Sequence, residues 1–271
     1  MSATPPPDGD WLGTRFVRFE RRGSIGIATV DRPHKRNALT ATMYYALRYA
    51  VDHVNRSPEL AALVITGVGD VFIPGGDLSA EDEDEWLDIG KYLHNEAPPF
   101  EAIRHSPKPV VSAVNGICFG GGLIIAMLSD VSVASTNATF QAPEVFRGIA
   151  DTGYSTYLPG QVGVGRARDM MLTGRVLSAQ EGLEWGLVTR LCPPGEELEQ
   201  AIALAKRIAQ GAPRARMAVK REINEKYGLQ DRMTMNASLL MEDEFTEGFL
   251  AFKERRNPSW VPEDLRTEGR V

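Results

Sequence analysis

Only two cysteines, Cys118 and Cys192, occur in 271 residues, with no Cys-x-x-Cys pair and no histidine at ligand spacing. A disulfide framework and a structural zinc site are therefore excluded, and a reducing, cytoplasmic location is expected. Basic residues are in deficit as well. Lys and Arg number 30 against 36 Asp and Glu, a net charge of −6, so no surplus exists to neutralise nucleic-acid phosphates. Apolar runs never reach transmembrane length, which leaves no expected membrane partner. Met1 to Gly13 is rich in proline and polar residues and lacks an apolar signal core, so it is expected to be a disordered tail. Without a signal, Asn137-Ala-Thr and Asn236-Ala-Ser are chance matches to a glycosylation pattern. There is no Gly-x-Ser-x-Gly elbow and no phosphate loop ending in Gly-Lys-Ser/Thr. The histidines His34, His53, His94 and His105 show no metal spacing, so no metal is expected.

What remains is the composition of an ordinary globular enzyme, 43% hydrophobic and 24% charged, long enough to bury a substantial core. Thr14 to Glu20 and Ser24 to Val30 alternate apolar and polar residues around Arg21-Arg22-Gly23, a predicted hairpin. Thr40 is placed to cap a helix running to about Arg56, with Met43, Leu47, Ala50, Val51 and Val54 at helical spacing. Short buried strands are expected at Ala61 to Thr66, Val110 to Val114, Val131 to Ala134 and Thr139 to Gln141. From Val164 the chain reads as mainly helical: Arg166 to Thr173, Ser178 to Glu184, Glu196 to Gln210, Pro213 to Tyr227, and Asp231 to about Arg256. The expected class is α/β, with a core over 14–195 and a helical region over 196–271.

Two glycine turns stand out. Ala113 to Asp130 reads as the end of a strand, a turn, and an apolar helix that starts at Gly120, Gly121 and Gly122. A helix start leaves N–H groups without partners and carries positive dipole character, which suits an oxyanion. Val71-Phe-Ile-Pro-Gly-Gly-Asp-Leu78 is the second turn, also fed by an apolar strand. Together they could aim two amides at one oxygen, the geometry that stabilises an enolate.

This pair of segments resembles the crotonase (enoyl-CoA hydratase/isomerase) superfamily. The likeness extends from about Ser24 to Trp260 through Asp31-Arg-Pro-His-Lys-Arg-Asn-Ala-Leu39, Phe140-Gln-Ala-Pro-Glu144, Leu172-Thr-Gly-Arg175, Gly186-Leu-Val188 and Glu247 to Arg256. It implies a spiral of ββα repeats whose C-terminal helices build a homotrimer or a dimer of trimers. It implies an acyl-CoA thioester as substrate, with coenzyme A carried by the substrate and no separate cofactor. The amides of Gly76 and Gly121 would hold the thioester oxygen. Lys35, Arg36 and Ala38 in the first loop, and Gly75, Asp77 and Leu78 in the second turn, would line the CoA and thioester. Phe252 and Arg255 would reach the adenine and phosphates of CoA bound to a neighbouring subunit.

An enolate also needs a group that removes and returns a proton. Glu144 aligns with a carboxylate that many crotonase enzymes use for this purpose. Hydratases of the family usually carry a second glutamate where this chain has Ile124, and an alkyl group moves no proton. Asp151, in Gly148-Ile-Ala-Asp-Thr-Gly-Tyr154, is a candidate replacement, or else the cap of the helix that follows it. If the two carboxyls face each other, repulsion and burial should raise at least one pKa. Membership leaves the reaction open. Double-bond migration in an enoyl-CoA comes first, and hydration or a hydratase-lyase reaction is the alternative. Retro-Claisen cleavage or ring closure, and acyl-CoA binding without catalysis, rank below these. Glu81-Asp-Glu-Asp-Glu85 is either a solvated acidic face or a lid over the acyl chain.

Overall fold

The computed structural model describes residues 14–78, 99–227 and 242–261. The chain divides into two compact units, one of residues 1–140 and 177–227, the other of 141–176 and 228–271.

The first unit is built on a six-stranded sheet. Its strands are β1 (Val17–Arg22), β2 (Ile25–Val30), β3 (Ala62–Gly67), a strand at Val110–Val114, one at Val131–Ser135 and one at Arg190–Cys192, in that spatial order. β1 and β2 pair antiparallel and the rest run parallel. Parallel strands covered on both faces read as unbroken apolar runs, and Ala62 to Thr66 is buried at every position.

One cover is α1 (Ala41–Arg56), which buries Met43, Ala46, Leu47, Ala50, Val51 and Val54. Thr40 caps it by accepting a hydrogen bond from the Met43 amide at 3.2 Å, as its position predicts. The other cover is a helix at Glu197–Ala209, whose Ala201, Ile202, Leu204 and Ala205 pack against Ile25, Ile27, Val64, Val111, Ala113 and Val133. Each fully buried Ile, Leu or Val contributes about 1.5–3 kcal/mol, so this layer fixes the sheet that carries the site. Cys118 and Cys192 are free thiols, both buried.

The first hairpin differs from expectation. Arg21 and Arg22 belong to β1, and the register Arg22 with Ile25 leaves a two-residue turn at Gly23 and Ser24. Only Gly23 supplies the positive φ, +65°, that so tight a turn needs. The strand expected at Thr139 to Gln141 is present, and further short strands join it. β4 (Val71–Ile73) and two strands at Ile117–Phe119 and Thr139–Gln141 form, with Leu177–Ser178, a second four-stranded sheet. The segment after Val164 is thus interrupted by two strands, Leu177–Ser178 and Arg190–Cys192.

Between the strands of this unit lie α2 (Phe100–Arg104), α3 (Gly121–Leu128) and a helix at Ala179–Trp185. The last of these opens with a capping box between Ser178 and Glu181. A helix at Pro213–Lys226 is latched by polar side chains. Lys220 reaches the Ile103 carbonyl and Asp130, and Asn224 donates to the Arg104 carbonyl at 2.7 Å.

The second unit holds a 3-10 turn at Glu144–Arg147, α4 (Thr152–Val162), α5 (Val164–Thr173) and the C-terminal helix at Glu242–Glu254. The acidic stretch 81–85 and residues 231–241 of the anticipated last helix lie outside the described residues. Among the described residues, no helix is long and apolar enough to cross a membrane.

Candidate active site

The candidate residues fall into two groups, one in each unit. In the first unit, β4 ends in Pro74, Gly75 and Gly76. Leu39 bridges to this turn: its N–H donates to the Gly75 carbonyl at 2.9 Å, and its carbonyl accepts from the Asp77 N–H at 2.8 Å. Both bonds belong to the neighbours of Gly76, so the Gly76 N–H finds no acceptor among the described residues. Gly76 is also exposed. Gly121 is the first residue of α3, preceded by Gly120 at φ 52°. Its N–H has no helical partner by construction.

The two turns lie side by side. A Cβ on Gly75 would sit 3.6 Å from Gly120 Cα and 3.8 Å from the Gly121 nitrogen. Gly122 sets that approach, because a Cβ there would lie 2.1 Å from the Ile73 carbonyl oxygen. Only glycine lets the start of α3 rest on the end of β4. The result is that the Gly75–Gly76 turn and the start of α3 meet backbone to backbone. One turn further along α3, Ile124 is buried and offers no proton-transfer group.

Three residues that the sequence reading passed over hold this surface in place. Arg32, 0% exposed, donates to Asp77 Oδ2 at 2.5 Å and to the Ala38 carbonyl at 3.1 Å. Asn37, at φ 62°, accepts from the Arg32 N–H and donates to the carbonyls of Val68 and Val71. Asn115 accepts from the Gly67 N–H and donates to the Gly69 carbonyl. The loop from Arg32 to Leu39 is thereby clamped to the Gly75–Gly76 turn. The Asp77 carboxylate serves that clamp, and Ala38 contributes its carbonyl to it. Asparagine at a turn tolerates a positive φ, the one local signal that could have drawn attention to Asn37. Lys35 is half-buried, Arg36 is exposed at φ 51°, and Leu78 is half-buried.

In the second unit Glu144 opens the 3-10 turn. Its Oε2 has no access to solvent and no hydrogen-bond partner, although the residue as a whole is half-buried. Burial first, and the charge of Asp151 second, push its carboxyl up to about 8. Asp151 caps α4, its Oδ1 accepting from the N–H groups of Gly153 at 2.8 Å and Tyr154 at 3.3 Å. Burial raises its carboxyl and these two amides lower it. The asymmetry has a physical origin. Asp151 ionises against two donors, whereas Glu144 Oε2 has none, so the cost of placing two charges together falls on Glu144.

The Phe252 ring in this unit lies under the Arg147 guanidinium, 4.8 Å from centroid to carbon. Arg255 is exposed beyond the helix end at φ 56°. Its neighbour Arg256 pairs with Glu247 at 2.7 and 2.9 Å.

Against this geometry, the sequence profile of a family described as enoyl-CoA hydratase/isomerase matches residues 20–263. A carnitinyl-CoA dehydratase of Salmonella arizonae is 35% identical over 256 residues, covering 90% of this chain and 97% of that protein. The crystal structure of carnitinyl-CoA hydratase from Mycobacterium avium superposes with a TM-score of 0.75 at 34% identity, covering 91% of this chain and 98% of the other. A monofunctional enoyl CoA isomerase from M. smegmatis gives a TM-score of 0.64 at 31% identity, over 77% and 91% of the two chains.

Proposed function

The chain belongs to the enoyl-CoA hydratase/isomerase family and is an enzyme of the crotonase superfamily, and from that premise we propose that it moves a carbon–carbon double bond of an enoyl-CoA. The N–H groups of Gly76 and Gly121 hold the thioester oxygen. Ionised Glu144 removes a proton from the carbon between the thioester and the double bond. The electron pair of that C–H bond becomes a dienolate, with its charge on the oxygen beside the two amides. Protonated Glu144 then returns the proton to the far carbon, and the double bond moves into conjugation with the thioester. Nothing is oxidised, and coenzyme A travels with the substrate.

One observation carries this reading: a carboxyl with an enclosed, unpartnered oxygen, poised near 8 beside a second carboxyl. A group that must both take and give a proton works best with a pKa near the working pH. At pH 7 about one molecule in ten carries the base form, and the charge of Asp151, which helps to raise that pKa, makes Glu144 the stronger base for the first step. The buried Ile124 supports migration over hydration, since a second carboxyl to orient water is missing from α3.

Reversible hydration is the second reading, and the dehydratase and hydratase names of the relatives favour it. In that case Glu144 alone serves both water and carbon. Purified protein mixed with a 3-enoyl-CoA and, separately, a 3-hydroxyacyl-CoA separates the two by the absorbance of the conjugated thioester. Conjugation of the 3-enoyl-CoA is expected. Conjugation from the hydroxy compound alone would assign dehydration instead, and binding without turnover would remove catalysis altogether.

A further inference from the structure

Tyr44 stands in the first turn of α1, directly over the glycine turns of the first unit. Its hydroxyl reaches both of them. A Cβ on Gly121 would lie 2.1 Å from Tyr44 Oη, and a Cβ on Gly76 would lie 3.9 Å from it. The ring is half-buried and is met edge-on by Phe100, the centroids 6.1 Å apart at 79°. Its backbone is fixed by the Tyr44 N–H bond to the Thr40 carbonyl at 3.1 Å, within the turn that Thr40 caps. The phenol oxygen therefore lies beside both glycine turns, and the absence of a side chain at 121 is what leaves it room there.

We propose that the Tyr44 hydroxyl is a third hydrogen-bond donor to the thioester oxygen, acting beside the N–H groups of Gly76 and Gly121. The assignment rests on the acyl-CoA reading above and adds a side-chain donor to a site otherwise made of backbone. A phenol turns about its C–O bond and donates one hydrogen bond, so it can follow the oxygen as the carbonyl lengthens toward the enolate. Such a bond strengthens as charge develops, which makes its contribution larger in the transition state than in the bound substrate. Gly121 gains a second reason to be glycine: any side chain there would occupy the position of the hydroxyl.

Tyr44→Phe keeps the ring and its contact with Phe100 and removes only the oxygen. Turnover of a 3-enoyl-CoA should fall about tenfold to hundredfold, with KM changed less than about threefold. The readout that a structural role would not move is the carbonyl stretch of bound butanoyl-CoA carrying ¹³C at the thioester carbon. Its shift from the free-ligand frequency should be smaller in Tyr44→Phe than in the wild type. A full shift and full turnover in the variant would overturn the assignment and leave the amide site standing. A wild type that neither binds nor polarises butanoyl-CoA would overturn the acyl-CoA reading, and the Tyr44 assignment with it.

Discussion

Glu144→Gln should make the folded protein more stable in alkaline buffer and hardly change it in acid. The carboxyl sits at about 8 in the fold and at 4.5 as its ordinary value, so the native state binds the proton more tightly than the unfolded chain does. Its contribution is fully present below pH 4.5, declines as pH rises, and is lost once pH passes 8. The span from 4.5 to about 8 corresponds to at most about 5 kcal/mol, of which about 4 kcal/mol develops between pH 5 and pH 9. Glutamine has nearly the same shape and cannot ionise, so it escapes this loss. Urea unfolding of both proteins at pH 5 and pH 9 measures the difference. The variant should match the wild type within about 1 kcal/mol at pH 5 and exceed it by several at pH 9. An equal difference at the two pH values, or none, would refute the claim that Glu144 is held in a site that resists its charge.

Asp151→Asn keeps an oxygen for the Gly153 and Tyr154 amides but removes the charge beside Glu144. The acid limb of the kcat/KM profile, expected to rise through about pH 8 in the wild type, should move to lower pH; an unmoved limb would show that the two carboxyls do not interact. Gly122→Ala places a methyl group 2.1 Å from the Ile73 carbonyl, where backbone must yield. Turnover should fall about 100-fold as the Gly121 amide is displaced, with the circular dichroism spectrum retained. Asn37→Ala removes two buried hydrogen bonds and a part-buried one, and leaves alanine at φ 62°. A loss of about 3–5 kcal/mol in chemical denaturation is expected.

The parts of the fold legible in the sequence are those with a repeating pattern or a local chemical signal. The apolar faces of α1 and of Glu197–Ala209 follow the helical period, and Thr40 and Ser178 mark helix starts by the side-chain bonds they make. Strands of two or three residues, such as β4 and Leu177–Ser178, are too short to show a period, and they form only because the second sheet gathers them. The same division holds at the site. The turns at Gly75–Gly76 and Gly120–Gly122 were legible because glycine after an apolar strand has a local signature, whereas the role expected of their amides came from the family resemblance. The Arg32–Asp77 pair joins residues 45 apart, and no spacing rule connects them. Tyr44 was hidden for a related reason: on α1 it reads as one more helix residue, and its meaning comes from the backbone its hydroxyl meets. Asp151 is the cap of α4, one of the two roles its sequence allowed, and its charge also raises Glu144.

Proton transfer by Glu144 to an acyl group whose charge rests on two amides is most directly tested by deuterium. A 3-enoyl-CoA is incubated in D2O with wild type and with Glu144→Gln, and incorporation at the carbon next to the thioester and at the far carbon is followed by NMR. The wild type should conjugate the double bond and place solvent deuterium at one or both carbons, and Glu144→Gln should lose at least about 100-fold in both exchange and conjugation. Exchange and turnover at the wild-type rate in Glu144→Gln would contradict the account.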